Sequence, residues 1–276
     1  LGLDTLGFMR EDQEIFERNA QMPDGIMLVT GPTGSGKTTT LYSCLNLLNN
    51  PDKKIITVED PVEYILAGIN QVQVNVLAGM TFAAALRAML RQAPNIIMVG
   101  EIRDAETGNI AVNASLTGHF VFSTLHTNDA PGAVTRMVDM GVKPFLVAAA
   151  TRAILAQRLV RRFCKKCETT HTLTEGERKA LDLTDEDLKE AHTLIGAGCK
   201  ACDGNGYKGR MGLFEVLELE DQIKRLIIEG EPSGVLREYA MEHGLMKTLR
   251  QDGVRKVVSG KTSVAEVVRV TSTDEH

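Results

Sequence analysis

The sequence predicts an α/β fold in which helices cover a mostly parallel sheet. Two observations carry this reading: short apolar runs alternate with helical stripes over the first two-thirds of the chain, and a glycine-rich loop joins the first run to the first stripe. A third observation adds a separate unit. The texture changes abruptly at Cys164, where paired cysteines and a glycine cluster begin.

The predicted strands are Ile26–Val29, Ile55–Val58, Ile96–Val99 and Val121–Leu125, each bounded by glycine, proline or charged residues and too short for a buried helix. After the first comes a helix whose stripe is Leu41, Cys44, Leu45 and Leu48, at i, i+3, i+4, i+7. Thr81 is placed to cap a helix over Phe82–Gln92, and Pro144 to open a long helix reaching about Arg161. Thr174 with Glu177 forms a capping-box pattern for a short helix beyond the first cysteine pair. Glycines at 196, 198, 204, 206, 209 and 212 follow, then a strand over Leu213–Leu219. The tail reads as helices over Asp221–Glu229, Ser233–His243, Met246–Ser259 and Ser263–Val270, the last with a Ser263/Glu266 capping box. The expected division is a linker over 1–24, an α/β core over 25–163, a four-cysteine subdomain over 164–212 and a mainly helical subdomain over 213–276.

Composition excludes several classes. Lys+Arg number 31 against 36 Asp+Glu, a net charge of -5, which argues against a chain held to nucleic acid by bulk positive charge. Aromatics are 4% with no tryptophan, which leaves no stacking platform for bases. The run free of Asp, Glu, Lys and Arg from Thr107 to Asn128 carries Thr, Asn, Ser and His throughout and does not read as a membrane span. The chain begins at Leu1 and has no signal-peptide pattern, so a preceding segment is expected to be missing.

The chemistry starts at Gly31-Pro32-Thr33-Gly34-Ser35-Gly36-Lys37-Thr38, which matches G-x-x-x-x-G-K-[ST] in full between a strand and a helix. Gly34 and Gly36 let the backbone wrap round phosphate oxygens, and the helix N-terminus, including Thr39, supplies N–H groups to the anion. Lys37 would neutralise the outer phosphates, and the Thr38 hydroxyl would ligate Mg²⁺. The ligand is therefore a nucleoside triphosphate. Three later strand ends bring polar groups to the same edge of the sheet. The run Thr57–Glu63 carries Glu59, Asp60 and Glu63; Ile96–Val99 leads to Glu101, a Walker B pattern with glutamate for the commoner aspartate; and Ser123–Leu125 leads to His126. Glu101 could bind Mg²⁺ through water or polarise the attacking water, and His126 could hydrogen-bond the γ-phosphate. Arg87 and Arg91 share one helical face, and Arg103 follows Glu101; they read either as solvated arginines or as phosphate contacts within or between subunits.

Five cysteines in a chain of this length do not make a disulfide framework. Cys164/Cys167 and Cys199/Cys202 are two C-x-x-C knuckles 31 residues apart, a donor set suited to tetrahedral Zn²⁺ with no open position. Redox dithiols and unligated thiols remain the alternatives. Lys165, Lys166 and Lys200 flank the knuckles and would favour thiolates. Cys44 reads as a core residue.

Taken together, GPTGSGKTTTLY (31–42), TVEDPVE (57–63), LRAMLRQAPNIIMVGEIRD (86–104) and GHFVFSTLHTNDA (118–130) resemble the four signature boxes of the secretion ATPase superfamily. With AQRLVRRFCKKC (156–167) and GCKACDGNGYKGRMGLFEV (198–216), the chain is similar to the GspE/PilB branch, assembly motors of type II secretion and type IV pili. That resemblance implies a RecA-like P-loop core in a homo-hexameric ring, at the cytoplasmic side of a bacterial inner membrane. It implies ATP hydrolysis that drives an inner-membrane platform protein, with further cytoplasmic docking partners. It also implies Glu63 as catalytic base, Glu101 as Walker B acid, His119 and His126 as the paired histidines, and Arg87, Arg91 and Arg103 as nucleotide or neighbour contacts. The cysteine module favours assembly motors over the retraction branch. Competing readings are a GTPase switch, against which no N-K-x-D motif occurs; a DNA-uptake or retraction motor on the same core; and an ATP-bound scaffold without turnover.

Overall fold

A computed structural model describes residues 2–272. The chain opens with α1 (Arg10–Ala20) and enters β1 (Gly25–Thr30), which the phosphate loop joins to α2 (Lys37–Leu48). Then come β2 (Ile55–Glu59), β3 (Asn70–Gln73), α3 (Phe82–Leu90), β4 (Ile96–Val99), α4 (Ala105–Leu116), β5 (Phe120–Leu125), α5 (Ala130–Asp139) and α6 (Pro144–Ala150). Two long strands, β6 (Thr151–Phe163) and β9 (Tyr207–Glu218), enclose the cysteine region. Within it lie β7 (Glu168–Thr170), α7 (Glu175–Ala180), α8 (Asp185–Leu188) and β8 (Leu194–Gly196). Helices α9 (Asp221–Glu229), α10 (Ser233–Glu242), α11 (Leu249–Val258) and α12 (Val264–Thr271) complete the chain.

Seven strands form one sheet in the order β3-β2-β4-β5-β1-β6-β9. The first six run parallel, and β9 returns antiparallel along β6. Every residue of β1, β2, β4 and β5 is buried, because helices cover both faces. Alternation divides their side chains. Ile26, Leu28, Ile97, Val99 and Val121 face one apolar core with α3 to α6 and the C-terminal helices. Met27, Val29, Ile96, Met98, Phe120 and Phe122 face another with α1 and α2.

Three expectations change. The long helix expected from Pro144 stops at Ala150, and Thr151–Phe163 is strand. That segment's apolar spacing suits either period, and the open edge of β1 decides for a strand, Ile26 to Thr30 pairing with Thr151 to Ala156. The boundary expected at residue 212 falls inside β9, which belongs to the main sheet. Residues 10–20, expected as linker, form a packed helix: Phe16 is fully buried, and Phe8 stacks on Phe214 of β9 at 3.7 Å. Smaller shifts occur at caps. Thr81 caps α3 and the Thr174/Glu177 box is complete. Ser263 caps α12, but the Glu266 carboxylate turns to Arg161 and Arg269, which leaves half a box. The helix expected from Met246 starts at Leu249 behind a Thr248/Gln251 box.

Among the described residues, no helix is long and apolar enough to cross a membrane. Because Phe16 is fully buried beside Phe8 where α1 packs on β9, Phe16→Ala should lower unfolding free energy by about 3–5 kcal/mol, measured by denaturant titration.

Candidate functional site

The carboxyl ends of β1, β2, β4 and β5 open into one pocket of about 610 Å³. Thr33, Gly34, Ser35, Gly36, Lys37, Thr38 and Thr39 line it, with Glu63, Glu101, Arg103 and His126 from the other strand ends. An open parallel sheet makes this convergence, since its loops at one edge all face the same crevice.

The loop's curl is set by backbone proximity. Gly31 (φ +148°) and Gly36 (φ +90°) pass so close to β6 that a Cβ would lie 2.5 Å from Gln157 O and 2.8 Å from Gln157 Nε2, respectively. The same Gln157 side chain donates to Ser35 O (2.8 Å) and accepts from Thr40 Oγ1 (2.7 Å). Beyond Gly36, α2 begins, and its first-turn N–H groups, at pocket-lining Lys37, Thr38 and Thr39, lack intrahelical acceptors. Lys37 Nζ donates to Gly31 O (2.7 Å) and Pro32 O (3.1 Å), so these two residues brace the lysine. Burial lowers the Lys37 pKa, and the charge of Glu101 partly offsets this. Ser35 Oγ is buried without a protein partner. An orphaned hydroxyl, free first-turn amides and a cationic side chain together fit a polyphosphate.

Glu101 is the electrostatic centre opposite. Its Oε2 accepts from Arg103 Nε (2.7 Å) and its Oε1 lies 3.1 Å from His126 Nε2. Arg103 also approaches Asp60 at 3.9 Å. Thr30 Oγ1 accepts the Thr127 amide (2.8 Å), which fixes the loop after His126.

Three expected residues lie elsewhere. His119 precedes β5, at the amino end, while His126 follows its carboxyl end, so a six-residue strand (about 20 Å) separates them. Its Nδ1 sits 3.0 Å from Ala114 O at the close of α4; within this chain His119 does not reach the pocket. Arg87 is exposed and paired with Glu106 of α4, and Arg91 Nη1 donates to Arg87 O at 3.2 Å; neither lines the pocket.

Sequence reasoning missed other residues. Tyr42, Glu59 and Gln71 form a hydrogen-bonded set beneath the β2–β3 loop. Strand alternation puts Thr57 and Glu59 on one face, a signal that Glu59 turns inward rather than out with Asp60 and Glu63. Leu159 and Arg210, from β6 and β9, also line the pocket, and no local signal marks either.

The four cysteines meet at the far end of β6 and β9, with all Sγ atoms within 4.8 Å of one another. Three Sγ–Sγ separations are 3.9, 3.7 and 3.8 Å. Tetrahedral zinc with Zn–S bonds of about 2.3 Å requires S···S edges of about 3.8 Å. The donor set therefore fits a closed four-thiolate site, and these distances are far beyond a disulfide bond. Backbone N–H groups of Cys199 and Gly206, with the neighbouring Cys167 and Cys199 side chains, pull the Cys202 thiol down to about 6. The 31 residues between the knuckles hold the β7–β8 hairpin with α7 and α8. Cys44 is fully buried, and burial pushes its thiol up.

A buried carboxylate supports the His126 loop from behind. Glu215 on β9 accepts from the Ala130 amide (2.8 Å) and the Leu249 amide (3.3 Å), the first residues of α5 and α11. Arg237 of α10 lies 3.3 Å from Asp129 and 3.8 Å from Glu215. Burial raises the Glu215 pKa from 4.5 to about 7. The folded chain thus holds a proton there that the unfolded chain releases, and stability should fall as pH rises from about 4.5 towards 7. Glu215→Gln should flatten that limb, measured by chemical unfolding at about pH 5 and about pH 7.

The family described as Type II/IV secretion system protein matches residues 1–269. Type II secretion system protein HxcR of Pseudomonas aeruginosa is 51% identical over 271 residues, 98% of this chain and 54% of that protein. Type IV pilus assembly ATPase PilB of Thermus thermophilus is 48% identical over 266 residues, 96% of this chain and 30% of that protein. The chain therefore spans about half the length, or less, of these curated relatives. Among solved structures, the pilus retraction motor PilT with bound ADP superposes with a TM-score of 0.71 at 27% identity, covering 98% of this chain and 66% of that one.

Proposed function

Because the chain belongs to the type II/IV secretion system protein family, we propose that it is the catalytic part of an ATPase that powers assembly of a type IV pilus or a type II secretion pseudopilus. The observation that carries this reading is the meeting of Lys37, Glu63, Glu101 and His126 in one pocket around the phosphate loop. A nucleotide-binding scaffold would need only the first of these.

The residues divide the work as follows. Backbone N–H groups between Thr33 and Thr39 hold the phosphates, and Lys37 turns from its loop carbonyls to the outer ones. Thr38 would hold Mg²⁺, which when bound neutralises charge on the β- and γ-phosphates. Glu63 takes the proton of a water that attacks the γ-phosphorus, and the bond to the β–γ bridging oxygen breaks to release ADP. Glu101, balanced between Arg103 and His126, keeps its charge directed into the pocket, and His126 hydrogen-bonds the γ-phosphate. Arg87 on α3 and Arg91 at its C-terminal cap, both outward-facing, serve contacts with a neighbouring subunit in a homo-hexamer. The ring acts against an inner-membrane platform protein and cytoplasmic docking partners from the bacterial cytoplasm. The four thiolates hold Zn²⁺ as a structural clamp that keeps the ends of β6 and β9 together.

Glu101→Gln in the full-length protein should lower kcat at least about 100-fold while ATP affinity stays within about threefold. Unchanged turnover would remove Glu101 from the chemistry. Elemental analysis should return about one zinc per chain, and Cys164→Ser with Cys199→Ser should abolish it. A folded, metal-free protein would overturn the clamp.

A further inference from the structure

The hydrogen-bonded set around Tyr42 is used by none of the steps above, yet it touches the loop that carries Glu63. Tyr42 is fully buried on α2, one helical turn after Thr38. Its hydroxyl donates to the carboxylate of Glu59, the buried last residue of β2. The same oxygen accepts the Glu63 amide (3.3 Å) and a Gln71 Nε2–H (3.3 Å). The second Glu59 oxygen takes the Thr57 hydroxyl (2.5 Å) and Gln71 Nε2 (3.1 Å). Gln71, on β3, further donates to Tyr64 O (3.1 Å) and accepts the Leu66 amide (2.7 Å). The segment after β2 is thus fastened at Glu63 N, Tyr64 O and Leu66 N, and the Tyr64 ring stands edge-on to Tyr42 at 4.7 Å.

Among the described residues, no hydrogen bond or ion pair holds the Glu63 carboxylate itself. Its position is therefore set through its backbone, and the one side chain on the Glu63 amide is Tyr42. Burial and the Glu59 carboxylate raise the Tyr42 pKa, so the phenol stays protonated and remains a donor.

We propose that Tyr42 is a positioning residue for hydrolysis. Its hydroxyl ties the helix that begins at the phosphate loop to the backbone of Glu63, so that engagement of phosphate by the first turn of α2 sets the base. This rests on the reading of Glu63 as base. A buried tyrosine whose hydroxyl merely satisfies Glu59 would stabilise the fold without touching turnover.

The test is Tyr42→Phe in the full-length protein, which keeps the ring and removes one oxygen. The expected result is a kcat about 10- to 100-fold lower, with KM for ATP within about twofold. In a Glu63→Gln background, measured by single turnover, Tyr42→Phe should cause no further loss. Gln71→Leu, a milder lesion on the same loop, should lower kcat several-fold, again without raising KM, and supplies the answer if Tyr42→Phe fails to fold. Wild-type turnover in Tyr42→Phe beside an inactive Glu63→Gln overturns the proposal and leaves Glu63 as base. Equal losses from Tyr42→Phe in both backgrounds, or a parallel rise in KM, also overturn it, because the residue would then act through the phosphate loop alone. Full turnover in Glu63→Gln removes the base, and the positioning role with it.

Discussion

The pocket depends on how closely the backbone of the phosphate loop lies against β6. Gly31 and Gly36 approach Gln157 to distances no side chain could share, and Gln157 returns one hydrogen bond to the loop and takes one from α2. The loop is thus curled between two fixed walls, the end of β1 and the middle of β6. The second wall does not exist until residues 151–163 join the sheet beside β1. The anion site is for this reason a property of strand order as much as of the motif that marks it.

What was legible in the sequence follows the same physics. Strands buried on both faces read as unbroken apolar runs, so β1, β2, β4 and β5 could be placed to within a residue or so, and β4 at its observed ends. Thr81 and Thr174 announce their helices because capping is local. The cysteine cluster was legible for another reason: four identical donors in two tight turns have few other uses. The failures are all long-range. Residues 151–163 could satisfy either period, and only the waiting edge of β1 chose. Phe8 and Phe16 look like linker residues until Phe214, far along the chain, is packed against them. His119 and His126 lie in one sequence box, yet the strand between them sends them to opposite edges of the sheet. Tyr42 and Glu59 each sit within a recognisable motif, but their contact is visible only once α2 lies on β2.

The C-terminal helices are bound to the core by buried charge as well as by apolar packing. Lys256 of α11, fully buried, donates to Gly212 O (2.7 Å) and Asp252 and lies over the Phe214 ring, while Asp252 accepts the Phe214 amide at 2.8 Å. Arg255 reaches Asp12 of α1. Such a set costs desolvation and is tolerated only when every member is partnered, so it ties α1, β9 and α11 into one arrangement rather than adding bulk stability. Glu215 does the same between α5 and α11.

The pairing of β6 with β9 continues from Ala153 opposite Glu218 to Phe163 opposite Tyr207, whereas β1 supports β6 only as far as Ala156. From Gln157 outward the ribbon runs about 20 Å beyond β1 to the four cysteines, held on the way by Glu266 of α12, which accepts the Arg161 amide (2.7 Å), and by Thr262, which donates to Arg161 O (2.7 Å). Leu159 and Arg210 lie on this extension and also form a wall of the phosphate pocket. The phosphate pocket and the cysteine cluster therefore share one strand pair, which supplies a wall to the first and the frame of the second.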